Sequence, residues 1–202
     1  MTVIPDYTST SYLTKARWSS IWQQLFLVEQ SNPETVLEVG IGSGLLSSIL
    51  RQKYVLTTLD SDISLNPSIL SSCTEIPFEA NTFDTVVAFQ VLEHLPYSSS
   101  LLALAEMLRV SKRKVILSLP DRSIRWNSHL YIPMLGHLRI SLAKPLLKRP
   151  FHVYDGERHW ELDTKQIPLR RFLSDLATIA TVETTFKCFD NPYHRFFVLR
   201  AK

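Results

Sequence analysis

The alternation of apolar and polar stretches along the chain predicts strands and helices that follow one another. Short runs of β-branched and aliphatic residues are typical of buried strands, and apolar residues at helical spacing separate them. Strands that alternate with helices in this way indicate an α/β fold with a doubly wound parallel sheet. The predicted strands cover 36–40, 55–60, 69–72, 84–90 and 114–119, and the helices between them cover 45–52 and 101–110, the latter capped by 98–100 and finishing in the basic run 112–114.

Both flanks of this region carry further elements. A helical period runs over 11–30, with Thr14 as a candidate N-cap and Asn32-Pro33 as its end. We expect its apolar stripe, which includes Trp18, Trp22 and Phe26, to pack against the sheet. Alternatively, the start of the helix near Tyr12, Arg17 and Trp18 is a candidate to fold over a ligand.

The C-terminal part of the chain interrupts the alternation of strands and helices with an insertion and then ends in one helix and two strands. Segment 120–160 is rich in proline, aromatic and basic residues, and we interpret it as a lid-like insertion after the fifth strand. Within it, 132–147 is a candidate for a short basic amphipathic helix that binds a membrane surface. A last helix is predicted over 168–176. Segments 181–189 and 195–200 are predicted to pair as antiparallel strands, because their connection is short.

Size and composition are those of one globular domain over 1–202, with an N-terminal helical segment over 1–34. The chain is 45% hydrophobic and 20% charged, and 202 residues suffice for a sizeable core. No apolar run reaches the roughly 18 residues of a membrane span, and residues 1–6 lack the features of a signal peptide. A cytoplasmic location is the resulting expectation. Cys73 and Cys188 show no metal or redox spacing, which favours a packing role.

Charge is distributed unevenly along the chain. Residues 1–108 hold 4 basic and 11 acidic residues, a balance of −7, whereas the remainder holds 18 and 8, a balance of +10. The basic half is compatible with an anionic or carrier-linked substrate or with an acidic surface, and equally with ordinary solvated charge.

The strongest chemical signal joins the first strand to the first helix. Gly40, Gly42 and Gly44 alternate directly after Glu38, and Asp60 ends the second strand about twenty residues on. Glycine permits positive φ and close approach of a ligand, and the amides that open a helix suit polar groups. A carboxylate at the end of the second strand can accept both hydroxyls of a ribose. The spacing therefore favours a nucleotide-type cofactor site over an ordinary strand-to-helix turn.

With these residues in place, the sequence resembles the class I S-adenosylmethionine-dependent methyltransferases. The likeness covers about residues 35–120 strongly and is nearest to the small-molecule type. A second pattern is similar to a subgroup of uncharacterised bacterial and archaeal members. The motifs that carry the resemblance are 38–44, Asp60, 75–78 with 83–84, and 91–95, and those of the second pattern are Tyr12, Trp18, 155–160 and 191–195.

The resemblance implies a Rossmann-like seven-stranded sheet in the order 3-2-1-4-5-7-6, with strand seven antiparallel, and S-adenosylmethionine as the cofactor. It implies that the methionine part lies against Gly40, Gly42 and the Glu38 end of strand one, with Gln90 opposite. Asp60 would hold the ribose.

One position departs from the family's pattern. Ser72 stands where many members carry an aspartate that bonds the adenine amino group. An uncharged oxygen is the weaker acceptor, so we expect adenine recognition to involve Ser72 together with backbone groups near Cys73 and Thr74.

Methyl transfer requires an acceptor in line with the activated methyl group, and a hydroxyl acceptor also requires a base. His94 is the first candidate base because it follows strand four on the substrate side, although a structural role is the alternative. His159, with Glu157 and Tyr154, forms a second candidate cluster. This loop would either bind an acceptor or fasten the insertion through ion pairs of Arg158.

Three other functions compete with this interpretation. A dehydrogenase fits Gly40, Gly42 and Asp60, but the third glycine of its fingerprint is missing, since Leu45 stands near that place and Gly44 comes too early. Nucleic-acid methylation is suggested by the basic half and by 190–193, although that tetrapeptide lies between the last two strands, where a turn is expected.

The remaining alternative is a non-catalytic module that binds the cofactor and uses the insertion to dock a partner or a membrane. Arg139, Lys144 and Lys148 are the basic residues on which membrane docking would depend.

Overall fold

A seven-stranded sheet organises the computed structural model, which describes residues 9, 12–134, 136–144 and 149–202. Its order is β3-β2-β1-β4-β5-β9-β8, while β6 and β7 pair separately. Strand β9 is antiparallel to β5 and to β8, and the other pairs in the sheet are parallel. The predicted fold class and strand order are confirmed. The strands are β1 (Thr35–Val39), β2 (Val55–Asp60), β3 (Ile69–Leu70), β4 (Phe83–Phe89), β5 (Ser111–Pro120), β6 (Arg125–Ile132), β7 (Gly136–Ala143), β8 (Ala180–Lys187) and β9 (His194–Ala201).

Four α-helices flank the sheet in the described residues: α1 (Lys15–Ser31), α2 (Leu45–Leu50), α3 (Tyr97–Val110) and α4 (Leu169–Ile179). Helix α1 begins as predicted, since Thr14 Oγ1 accepts the Arg17 amide at 3.3 Å. It ends at Asn32, which adopts a left-handed φ of 46°. Helices in the described part of the chain are all too short or too polar to cross a membrane.

Side chains of the central strands alternate between two cores. In β1, Leu37 and Val39 enter one core while Val36 enters the other, and Val86 and Val87 of β4 divide in the same way. The first core packs against α3 and α4, and the second against α1 and α2. Because both faces of the sheet are covered, its central strands are buried nearly throughout, as expected of a doubly wound sheet.

The prediction for the buried face of α1 was wrong for its aromatic residues. These are exposed, whereas the face that lies against the protein combines apolar with small or polar side chains: Ile21, Leu27, Val28, Ser20, Gln24 and Ser31. Ser31 helps to explain which face of α1 lies against the sheet. Its hydroxyl lies 3.0 Å from Thr85 Oγ1 in β4, and its small size allows the helix to approach the strand closely. The exposed residues are Trp18, Trp22 and Phe26.

The predicted beginning of α3 also needs correction. The helix starts at Tyr97 with Pro96 as its N-cap, not with a cap from 98–100. Ser100 instead donates to the carbonyl of Leu92 at 2.8 Å. The basic run 112–114 lies in β5, which pairs with β4.

The amphipathic helix predicted over 132–147 is replaced by a β-hairpin where the chain is described. Strands β6 and β7 pair without interruption from Arg125 opposite Ala143 to Ile132 opposite Gly136. Apolar residues recur here at every second position, the period of a strand, and Gly136 adopts a φ of 83° after the turn. Residues 145–148, including Lys148, lie outside the described residues.

Candidate functional site

One cavity of about 820 Å³ opens at the carboxyl ends of β1, β2 and β4. The order of the sheet reverses between β1 and β4, and ligands of open α/β sheets bind at such a reversal. Chain segments from across the sequence therefore meet here. They include the start of α1, the glycine loop after β1, the residues after β2 and β4, the loop 154–158, and the β8–β9 turn.

Glycine stands at each of the three positions of the loop for a different structural reason. A Cβ at Gly40 would lie 2.4 Å from Val91 Cγ2, so only glycine fits there. Gly42 has a φ of +54° and no atom within 4 Å of its missing Cβ, which leaves open space beside the cavity. Gly44 is the N-cap of α2 with a φ of 69° and does not line the cavity.

Asp60 links the end of β2 to the glycine loop. Its Oδ2 accepts the Ile41 amide at 2.8 Å, and its Oδ1 accepts the Asp62 amide at 3.0 Å. A carboxylate oxygen has two lone pairs, so each oxygen keeps accepting capacity for a ligand. Asp60 therefore orders the loop and also offers paired acceptors on the cavity surface.

Glu38 is a buried carboxyl group on the same cavity. Ser47 Oγ donates to its Oε2 at 2.5 Å. Burial raises the pKa of Glu38 to about 7, against the opposing effect of the Ser47 hydrogen bond. A cation in the cavity would favour the ionised form of Glu38.

The other predicted cofactor residues divide between the cavity and its surroundings. Gln90 lines the cavity with a positive φ of 59°, and its Nε2 donates to Ser118 Oγ at 3.2 Å. Cys73 also lines it, and burial raises the pKa of its thiol. Ser72 is exposed and does not line it, because its hydroxyl is engaged with Thr74 in a local turn.

The predicted catalytic residues meet where loop 154–160 crosses the segment after β4. His94 Nδ1 lies 3.0 Å from the backbone oxygen of Glu157, and both residues line the cavity. The His159 amide donates to the backbone oxygen of Glu93 at 2.8 Å. The His159 ring packs against Tyr154, with centroids 4.7 Å apart, and does not line the cavity.

Glu93 is a titratable cavity residue to which sequence reasoning gave no role. It has no exposed surface, and within the described residues neither carboxyl oxygen has a hydrogen-bond partner. Burial raises the pKa of Glu93 to about 8, and the nearby charge of Arg158 opposes this only in part. Its place beside His94, directly after a buried strand, was a signal that could have identified it.

His194 is a second such residue, and the motif 191–195 that contains it was assigned no chemical role from the sequence. Its Nδ1 has no partner among the described residues, and burial, followed by the charges of Arg17 and Arg158, lowers its pKa to about 3. The antiparallel register places His194 opposite Pro120, at the carboxyl end of β5. That register brings it to the cavity.

The start of α1 forms a further part of the cavity wall. The Arg17 guanidinium lies 3.8 Å from the centroid of the Tyr12 ring, and both residues line the cavity. Burial raises the pKa of Tyr12, and the charge of Glu157 adds to the increase. Tyr12 therefore lies near enough to loop 154–158 to sense its charge.

A sequence profile described as a methyltransferase domain matches residues 12–165. Among curated proteins, none matches the sequence at a significant level. Solved structures share the fold. The PH0226 protein from Pyrococcus horikoshii OT3 is 16% identical with a TM-score of 0.66, over 100% of this chain and 96% of that one.

Two further similar structures are methyltransferases by name. The N-methyltransferase NodS from Bradyrhizobium japonicum WM9, in complex with S-adenosylhomocysteine, is 13% identical with a TM-score of 0.61, over 93% of this chain and 88% of that one. The 1,6-didemethyltoxoflavin-N1-methyltransferase from Burkholderia thailandensis is 14% identical with a TM-score of 0.60, over 93% of this chain and 78% of that one.

Proposed function

The chain belongs to the methyltransferase domain family, and we propose that this S-adenosylmethionine-dependent methyltransferase acts on a small-molecule or carrier-linked acceptor. The observation that carries the proposal is the continuity of the cavity. One space joins Gly42 and Asp60, at the carboxyl ends of β1 and β2, to His94 in the segment after β4 and to Glu157 in the loop that contacts it. A donor and an acceptor can therefore occupy adjoining parts of the same cavity.

The residues present fit S-adenosylmethionine. Asp60 offers paired acceptors for ribose hydroxyls, Gly42 leaves room for close approach, and Glu38 suits a cationic methionine part. When bound, this cofactor supplies a methyl group already activated on a positively charged sulfur. The residues that would hold it are Glu38, Gly40, Gly42, Asp60, Cys73 and Gln90, with Gly44 shaping the helix start and Ser72 holding the turn beside the adenine.

A small acceptor is consistent with the size of the site. The cavity volume of about 820 Å³ lies within the range of small-molecule sites, roughly 300–1,000 Å³. The toxoflavin-precursor enzyme was solved with both its acceptor and S-adenosylhomocysteine bound, so the shared fold accommodates two such ligands together.

His94 is the proposed general base for an acceptor that must lose a proton. A carbonyl oxygen only accepts hydrogen bonds, so the contact with Glu157 requires the hydrogen on Nδ1. In the neutral ring, Nε2 is then the atom with a free lone pair. The acceptor's proton would move to Nε2, and the Glu157 carbonyl would stabilise the resulting imidazolium.

Glu157 and His159 are proposed as positioning residues. Glu157 orients the His94 ring through its backbone oxygen, and His159 fastens the same loop to the backbone of Glu93. The ring of His159 also packs on Tyr154, which lines the cavity. Through these contacts the loop would help to exclude water from the acceptor side.

Thermal shift and calorimetry with S-adenosylmethionine, S-adenosylhomocysteine and NADH test the cofactor. We expect stabilisation by the first two alone, since a ligand that binds only the native state raises its melting temperature. Stabilisation by NADH alone would contradict the proposal.

Release of S-adenosylhomocysteine, measured across hydroxyl, amine and carboxylate small molecules, tests the reaction. A mixed pool of DNA and RNA is tested separately as the acceptor. We expect turnover with a small molecule. Turnover confined to nucleic acid would identify a different acceptor class, and cofactor binding without turnover across a broad screen would favour a non-catalytic module.

A further inference from the structure

The hairpin β6–β7 presents an apolar face to solvent. Its register places Trp126 opposite Leu142 and Leu130 opposite Leu138, so these four side chains share one face. Trp126 is 63% exposed, Leu142 54%, and Leu130 and Leu138 46% each. The remaining positions on this face are Ser128, Ile132, Gly136 and Ile140.

The opposite face of the hairpin is polar and is attached to the domain. Asn127 donates from Nδ2 to the backbone oxygen of Phe189, and the His129 ring lies 5.1 Å from the Phe189 ring. The Arg139 guanidinium lies 5.5 Å from the same ring. These contacts fix which side of the hairpin meets the protein, so the apolar face is the one left outward.

Basic residues predominate in the sequence around the hairpin. Residues 122–154 contain six lysine and arginine residues and no aspartate or glutamate, and two of the six pair with carboxylates elsewhere, Arg122 with Glu161 and Arg149 with Asp163. Lys144 is exposed at the base of the hairpin, beside its apolar face, and Arg125 is exposed at the same end on the opposite face. An apolar surface bordered by basic residues matches an interface that is apolar within and negatively charged at its edge.

We propose that the β6–β7 hairpin docks the protein on a membrane surface that carries anionic lipid headgroups. Trp126 lies on the apolar face, and tryptophan is enriched at the boundary between headgroups and acyl chains. A second copy fits this face less well, because pairing two such hairpins would bring their basic residues together. The proposal does not rest on methyl transfer, since the hairpin is separate from the cavity lining.

Flotation of the full chain with lipid vesicles tests the proposal. We expect binding to phosphatidylcholine vesicles that contain phosphatidylglycerol, weakened by salt, and little binding to phosphatidylcholine alone. Trp126→Ser should lower the partition coefficient roughly tenfold. Arg125→Gln with Lys144→Gln should lower it about fivefold for each basic residue removed.

The chain offers matched controls for both kinds of variant. Trp22 on α1 is 62% exposed, so Trp22→Ser removes a tryptophan of equal exposure outside the hairpin. Lys53→Gln with Arg170→Gln removes the same charge from exposed positions elsewhere. We expect both controls to bind as the unaltered chain does, and melting temperatures verify that every variant is folded.

Brominated lipids give an independent measurement, since they quench tryptophan that enters the bilayer. Quenching should occur in the unaltered chain and largely disappear in Trp126→Phe. Absence of vesicle binding, or equal losses in the hairpin variants and their controls, would overturn the proposal. So would concentration-dependent dimerisation abolished by Trp126→Ser without vesicle binding, which would assign the face to a second copy.

Discussion

The His94 imidazole donates its Nδ1 hydrogen to the backbone oxygen of Glu157, 3.0 Å away. A second bond joins the same two segments, from the His159 amide to the backbone oxygen of Glu93 at 2.8 Å. Two points of attachment hold loop 154–160 across the segment after β4. The loop therefore determines both the tautomer of His94 and the shape of the acceptor end of the cavity.

Replacement of His94 tests its role as base. For a hydroxyl acceptor, His94→Ala should lower kcat about 10²–10⁴-fold, the usual contribution of general base catalysis. The Kd for S-adenosylhomocysteine, measured by calorimetry, should change less than about threefold, because the predicted cofactor contacts lie elsewhere.

His159→Ala is the matched control for this experiment, since that side chain is exposed and does not line the cavity. We expect a smaller loss of kcat. A His94→Ala enzyme that keeps full kcat, alongside a His159→Ala enzyme that loses it, would show that the base has been assigned to the wrong histidine.

Two glycines of the same loop should respond differently to alanine. Gly40→Ala places a Cβ 2.4 Å from Val91 at a φ of +80°, so we expect about 3 kcal/mol of lost stability in urea unfolding. Gly42→Ala meets no atom within 4 Å and should cost only about 1 kcal/mol for its left-handed backbone. Its methyl group enters ligand space, so affinity for S-adenosylhomocysteine should fall more than about tenfold. Equal stability losses with unchanged affinity at Gly42 would contradict this assignment.

Asp60→Asn tests the ribose site. The variant keeps the shape of the side chain but replaces one acceptor oxygen by a donor and removes the charge. We expect the Kd for S-adenosylhomocysteine to rise roughly 10–100-fold, since hydrogen bonds to an ionised acceptor are the stronger ones. Glu34→Gln, an exposed change before β1, is the control and should leave the Kd unchanged. Equal Kd values for Asp60→Asn and the unaltered chain would exclude Asp60 from the site.

The large sheet was predictable because its signals are local. Each central strand is a short apolar run buried on both faces, and β1 ends in an acid and a glycine turn. The buried face of α1 was not predictable by the same rule. Hydrophobic periodicity favours Trp22 over Ser31 as the residue that is buried against the sheet. Ser31 is buried instead, because it forms a hydrogen bond with Thr85 and its small side chain permits close approach.

The same distinction applies to the candidate site. Asp60 ends β2 and His94 lies in the short segment after β4, so their meeting at one sheet edge follows from sequence order in a parallel sheet. His194 reaches the cavity only through the antiparallel register of β9 against β5. Register depends on long-range pairing, which no local pattern around His194 records.

Glu93 supplies a prediction for stability that needs no ligand. Its folded-state pKa of about 8 lies above the ordinary glutamate pKa of 4.5, so the folded chain binds this proton more tightly than the unfolded chain. The stability that comes from the protonated form is fully present below about 4.5 and is lost as the pH rises through about 8. Removing the ionisable group should therefore change the alkaline side of the stability curve.

Glu93→Gln keeps the size of the side chain and cannot ionise. We expect its free energy of unfolding to match that of the unaltered chain near the unfolded pKa and to exceed it by up to about 5 kcal/mol above the folded pKa. Urea unfolding across this pH window measures the difference. Glu75→Gln, an exposed change, is the control and should leave the free energy of unfolding unchanged at both ends of the window. The free energy of unfolding of Glu93→Gln should still fall somewhat as the pH rises, because Glu38, with its pKa raised to about 7, shifts stability in the same direction. Destabilisation by Glu93→Gln that grows as the pH rises would show instead that the carboxyl group is ionised and paired in the folded chain.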